Sequence, residues 1–178
     1  GLITADKKDS VGICFVGERN LKDFLNRFLK FEKGLIKDEV GNIVGEHQGS
    51  ILYTQGQRQG LNIGGVKGRH ELPWYVYKKD IKNNEIYVCQ GVDNDLLMNS
   101  GLNLEQINWI NNINYEFPLN CSVQIRHQHK PVKCKIVHEN NFFKTIFSEP
   151  IRAIAPGQSA VFYNNEICMG GGIITETF

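Results

Sequence analysis

The sequence predicts a mainly β fold: a small β-rich domain carrying one N-terminal helix, followed by an antiparallel β-barrel. Three observations lead there. Short runs rich in β-branched and aromatic residues recur between turn residues along most of the chain. No helices alternate with them, which argues against a parallel α/β sheet. Glycine and Asn-Asn or Gly-Asn pairs punctuate the runs where tight turns are needed.

The single predicted helix rests on Leu21, Phe24, Leu25, Phe28 and Leu29, which fall at i, i+3, i+4, i+7 and i+8 and make one apolar stripe. Two strand-like pieces then flank Gly41-Asn42 within 34–44, and 51–54 reads as another strand. Residues 74–77 and 85–89 flank Lys82-Asn83-Asn84 as a hairpin. A second unit begins near 102–110. Beyond it 121–126, 132–137, 142–147, 159–163 and 166–169 read as short strands, with Asn164-Asn165 a tight turn before the last.

A chain of 178 residues with 41% hydrophobic content can bury a core as one domain or two small ones. The five cysteines, Cys14, Cys89, Cys121, Cys134 and Cys168, are odd in number and never spaced C-x-x-C, so neither a disulfide framework nor a zinc ribbon is expected. A reducing cytoplasm fits that usage. No apolar run approaches the ~20 residues that span a bilayer, so no membrane partner is expected. The first residue is Gly1 rather than Met, and the expectation is that these residues are the C-terminal part of something longer.

Net charge is only +1, but its distribution is uneven. No Asp or Glu occurs between Glu46 and Glu71 or between Glu116 and Glu139. The first stretch holds Arg58, Lys67 and Arg69; the second holds Arg126, Lys130, Lys133 and Lys135 beside His127, His129 and His138. Such stretches suit a polyanion, or are simply solvated basic faces. Within the first lies the glycine-rich run Thr54-Gln55-Gly56-Gln57-Arg58-Gln59-Gly60-Leu61-Asn62-Ile63-Gly64-Gly65. It has neither P-loop nor dinucleotide-fold spacing, so no nucleotide is placed there. Gln57 and Arg58 are further candidates for RNA contact, against a purely structural loop.

Cys14 stands on the approach to the predicted helix, with Lys7, Lys8 and Arg19 around it. Helix N-terminal amides and nearby cations lower a thiol's pKa and make it a nucleophile. Between Ile13 and Phe15 the commoner fate of a cysteine is a small buried hydrophobe. His127 and His129 alternate on the predicted 121–126 strand's continuation, with Cys121 and Cys134 near in sequence. Without H-E-x-x-H or paired-cysteine spacing, no metal site is predicted from them.

Four separated motifs, in order, carry a resemblance. They are Lys7-Lys8-Asp9-Ser10-Val11-Gly12-Ile13-Cys14-Phe15, the Thr54 to Gly65 loop, Pro156-Gly157-Gln158-Ser159-Ala160-Val161-Phe162-Tyr163, and Gly170-Gly171-Gly172-Ile173-Ile174. Together they closely resemble the bacterial tRNA-specific 2-thiouridylase family over essentially the whole chain. The resemblance implies an enzyme that adenylates the C2 oxygen of the wobble uridine (position 34) of tRNA and replaces it with sulfur from a protein persulfide. It implies that Cys14 carries the persulfide, and that a second catalytic cysteine and the ATP-binding loop, with ATP and Mg²⁺, belong to an N-terminal domain outside this chain. A disulfide between Cys14 and that second cysteine belongs to one of two implied routes; direct attack of the persulfide is the other. The implied partners are tRNA and a sulfur-relay persulfide donor protein, and the implied tRNA contacts are Arg126, His127 and Gln158. The family often has Tyr where this chain has His127. On this reading residues 1–16 are the tail of the catalytic domain, 17–100 a central β-rich domain and 101–178 the tRNA-binding barrel, and the chain alone is inactive. The rival reading is a non-catalytic RNA-binding β-barrel module with a structural Cys14.

Overall fold

The computed structural model describes residues 24–25, 27–65, 68, 71–110, 113–126, 129–140 and 142–178. Cys14 and its motif, Lys67, Arg69 and His127 lie outside the described residues. The chain divides into two units, Gly1–Glu32 and Lys33–Phe178.

In the first unit the helix expected over 21–29 is not evident among the described residues. Phe24 and Leu25 are helical, and residues 27 and 28 form a turn whose amides bond back to Phe24 and Leu25. Phe28 is 71% exposed. A short amphipathic helix owes its stability to burial of its apolar stripe, and at Phe28 and Leu29 this stripe is exposed.

Among its described residues the second unit is built of β-strands with two short 3₁₀ turns. Its first sheet contains β1 (Gly34–Lys37), β2 (Ile43–His47), β3 (Trp74–Asp80) and β4 (Glu85–Gln90) in the order β2-β1-β4-β3. β1 and β4 run parallel, and the other pairs are antiparallel. Asp38 builds the β1–β2 turn by accepting from the amides of Val40 and Asn42, and Gly41 supplies the left-handed φ of 93°. Asp80 caps the β3–β4 turn in the same way through Asn83. Ile36, Val76, Ile86 and Val88 form the core of this sheet with Tyr53, Leu61 and Trp74.

The strand expected over 51–54 is instead a 3₁₀ turn, Ser50–Leu52. Its amides close on the chain itself, Leu52 onto Gly49 and Tyr53 onto Ser50, so it has no ladder to join. His47, buried at the end of β2, receives the amide of Gly49 on Nδ1 at 3.0 Å while Nε2 meets the carbonyl of Asn84 at 3.1 Å. The neutral tautomer with hydrogen on Nε2 satisfies both contacts. Burial pulls the pKa of His47 below 6.5, against the pull of the Asn84 carbonyl. The folded chain therefore takes up this proton less readily than the unfolded one. The contribution of His47 is complete above about pH 6.5 and is lost as pH falls below it. Denaturant midpoints are expected to drop between pH 7 and pH 5, and His47→Gln is expected to flatten that part of the curve. An unchanged slope in the variant would remove His47 as its cause.

The second sheet contains β5 (Met98–Leu104), β6 (Asn108–Trp109), β7 (Leu119–Gln124), β8 (Val132–Glu139), β9 (Phe142–Arg152), β10 (Ser159–Asn164) and β11 (Ile167–Thr177). The order β10-β7-β8-β9-β5-β11 closes through β10–β11, so six antiparallel strands form a barrel, with β6 added on β11. Alternate residues of each strand point inward, among them Leu102, Leu104, Val123, Ile136, Phe147, Phe162 and Ile174. The strand read as ending at Met169 runs on to Thr177, through Gly170-Gly171-Gly172. A Cβ at Gly171 would lie 2.7 Å from the carbonyl oxygen of Ala160, and one at Gly172 would strike that of Gln106. The glycines let neighbouring backbones approach where the barrel closes.

The sheet and the barrel are joined inside this unit. Leu97 is buried with Tyr75 and Cys89, and its carbonyl accepts the amide of Ala153 at 2.7 Å. Arg152 donates to the Val92 carbonyl and lies 4.7 Å over the Tyr75 ring. Among the described residues no helix is long and apolar enough to cross a membrane.

Candidate nucleic-acid interface

The β7–β8 hairpin gathers most of the basic residues of the acid-free stretch 117–138. Lys133 and Lys135 are exposed on β8, and His129 and Lys130 are exposed in the turn. β7 ends at Gln124, so His129 sits in the turn and not on a strand as expected. The turn is held by its own bonds: Gln124 Nε2 donates to the His129 carbonyl at 2.9 Å, and the His129 amide reaches Arg126 O at 3.2 Å. These bonds satisfy the amide and carbonyl of His129 without a strand partner. Among the described residues no three His, Cys, Asp or Glu side chains gather as a metal site.

Arg126 leaves β7 at the start of this turn, half-buried, and its Nη2 donates to the carbonyl of Ala153 at 2.7 Å. Ala153 is a non-glycine residue in the left-handed region, with φ 53°. That conformation is sparsely populated, and the bonds at both its amide and its carbonyl hold it. Gly56 of the glycine-rich run packs against it; a Cβ there would come 2.5 Å from that of Ala153. The guanidinium carries five donors, and one bond leaves the fork able to engage a phosphate.

Gln158 follows the turn before β10, where its carbonyl accepts the Ile174 amide at 2.8 Å. Arg126 and Gln158, 32 residues apart in sequence, line one groove of about 460 Å³ with Gln124, Ser159, Val161 and Tyr163. The pairing of β7 with β10 creates it, since Val161 stands opposite Gln124 and Tyr163 opposite Ser122. Gln124, Ser159 and Tyr163 did not emerge from sequence reasoning. Ser159 and Tyr163 stand in the Pro156 to Tyr163 motif, and Gln124 on a predicted strand, but the strand pairing that brings them together was unknown.

Gln57 and Arg58 differ in their engagement. The Gln57 amide is turned into its own loop, accepting from the Thr54 amide at 3.0 Å and donating to Gln59 O at 2.9 Å. Arg58 is exposed and borders a second groove of about 650 Å³ with Asn62, Gly64, Gly65, Trp74 and Gln90. Cys89 is fully buried, and burial pushes its thiol up to about 11, where it is a neutral packing group.

Comparison with known proteins accords with this fold. The model of the tRNA methyl transferase PRC-barrel domain matches residues 22–90, and that of the aminomethyltransferase β-barrel domain matches residues 99–174. A protein of Buchnera aphidicola subsp. Schizaphis graminum is 49% identical over 175 residues, covering 98% of this chain and 48% of its own length. One from Actinobacillus succinogenes is 50% identical over 175 residues, with 98% and 45% covered. One from Vibrio cholerae is 49% identical over 177 residues, with 99% and 48% covered. Each is named tRNA-specific 2-thiouridylase MnmA. The fold and the matched domains define a tandem of two small β modules, the second a closed barrel with a basic hairpin. The chain belongs to the tRNA-specific 2-thiouridylase family and corresponds to its central and C-terminal portion. It spans about half the length of the curated relatives it matches.

Proposed function

We propose that this chain is the tRNA-holding portion of an ATP-dependent tRNA 2-thiouridylase of the cytoplasm, which converts the wobble uridine to 2-thiouridine. The observation that carries the reading is the convergence of Arg126 and Gln158 on one groove beside a basic hairpin. Phosphates of the tRNA backbone meet Arg126, Lys130 and Lys133, while Gln158 and the half-buried Tyr163 offer hydrogen-bonding groups to sugars and bases. Arg58 extends the contact along the first module. Cys14 receives sulfur as a persulfide from a donor protein; the outer sulfur goes to C2 of uridine as AMP leaves with the oxygen, and the S–S bond breaks as the second cysteine, in the domain outside these residues, forms a disulfide with Cys14. ATP and Mg²⁺ are held by a domain outside these residues, where ATP activates the C2 oxygen as a leaving group. The 178-residue chain alone thus binds tRNA and forms no 2-thiouridine.

The test of the interface is a salt titration of tRNA binding. Arg126→Ala is expected to weaken binding and to lower the slope of log K against log salt by about one phosphate contact, roughly 0.7–0.9. Because Arg126 also holds Ala153 O, circular dichroism and the thermal midpoint are compared with the native chain. An unchanged slope in a folded variant would mean that Arg126 does not touch the backbone. Binding of tRNA no tighter than to an arbitrary duplex RNA, together with 2-thiouridine formation that does not need this chain, would overturn the reading as a whole.

A further inference from the structure

Cys121 on β7 and Cys134 on β8 are opposite one another in the antiparallel register. Their Sγ atoms are 3.6 Å apart, in a thiol–thiol hydrogen bond. Directly opposed residues in antiparallel strands have Cα atoms about 4.5–5.5 Å apart, inside the range of about 4.4–6.8 Å that a disulfide accepts. The two sulfurs can therefore join by side-chain rotation and a small movement of the strands. Cys134 is 6% exposed, whereas Cys121 is only half-buried and is the point of entry. Both line a depression of about 510 Å³ with Asn120, Ser122, Lys133 and Lys135. The hydrogen bond from Cys134 holds the Cys121 thiol below the ordinary cysteine range, and the same bond raises that of Cys134. One sulfur of the pair is thus the nucleophile and the other the proton holder.

We propose that Cys121 and Cys134 form a redox-active dithiol that a peroxide closes to a cross-strand disulfide. The Cys121 thiolate attacks one peroxide oxygen, the O–O bond breaks, and the departing hydroxide takes a proton to become water. Cys121 is left as a sulfenic acid. The Cys134 sulfur, giving up its proton, then attacks Cys121 Sγ; the S–O bond breaks and a second water leaves. Two thiols are oxidised by two electrons in all, and one peroxide is reduced to two waters.

The bond crosses the middle of the β7–β8 ladder, two pairs from its last pair before the turn that carries Arg126, so oxidation covalently links the two strands that lead into that turn. Any effect on RNA rests on the reading above. The dithiol itself does not, and its test reads linkage rather than RNA binding.

The experiment treats the native chain with hydrogen peroxide without denaturant, alkylates the remaining thiols and maps the peptides by mass spectrometry. The expected product links the Cys121 and Cys134 peptides, is lighter than the dithiol by two hydrogens and is reversed by dithiothreitol. In Cys134→Ser no such link forms, and Cys121 is trapped by dimedone as its sulfenic acid. Cys168, half-buried on β11 opposite Tyr163, is the internal comparison. Cys121 and Cys134 both still alkylatable after treatment, or either linked instead to another cysteine, would overturn the proposal. The native peptide map decides the matter even if the variant does not fold.

Discussion

Phe162→Ala is expected to destabilise the barrel by about 3–5 kcal/mol, the range for removing a buried phenyl ring and leaving its cavity. Phe162 is fully buried at the centre of β10, the strand that closes the barrel by pairing with both β7 and β11. Its ring lies 6.3 Å from that of Trp109, so β6 loses a partner as well. Total stabilities of single domains are about 5–15 kcal/mol, so the loss takes a large share. Ile173→Ala, on the neighbouring strand but 55% exposed, is expected to stay within about 0.5 kcal/mol. Denaturant unfolding of the two variants checks this. Equal effects would mean that the inward face of β10 does not hold the barrel together.

Cys14→Ser is expected to abolish sulfur transfer while leaving tRNA affinity unchanged. A persulfide needs a sulfur on the protein to carry the second sulfur, and a serine hydroxyl has none to offer. The measurement joins the chain to the half of the Vibrio cholerae relative that it does not cover. Thiouridine is then quantified in digested tRNA, with and without the substitution. Product falling to the level seen without enzyme, at unchanged tRNA binding, is the expected result. Undiminished 2-thiouridine would take the sulfur-carrying role from Cys14.

The strands were legible where side-chain alternation and turn chemistry agree. β1 and β2 around Gly41, β3 and β4 around Asn83-Asn84, and β10 before Asn164-Asn165 all follow that rule. The strand expected at 51–54 failed because a β-rich composition does not reveal that Gly49, with φ 128°, turns the chain and deprives it of a neighbour. β11 was cut short because a run of three glycines carries no propensity for a strand. Its role depends on the backbones of Ala160 and Gln106, which only the closed barrel brings near. The parallel pairing of β1 with β4 is likewise a tertiary fact with no local signature.

At the site, charge was legible and geometry was not. The absence of acids between Glu116 and Glu139 marks the basic hairpin directly in the sequence. That Arg126 and Gln158 share a groove depends on β7 lying beside β10, and that Cys121 meets Cys134 depends on register. A one-residue slip between β7 and β8 would separate the two sulfurs and turn one to the outer face. The resemblance to the thiouridylases supplied candidate residues, and strand pairing brings Arg126 and Gln158 to one place.

Amide hydrogen exchange of the 178-residue chain, with and without saturating tRNA, tests the proposed tRNA surface most directly. Slowed exchange is predicted in the turn around 124–130 and in 157–161, the two segments that bring Arg126 and Gln158 to the groove. Protection confined to other surfaces, with these two segments unchanged, would contradict the assignment of the groove as the tRNA-binding face.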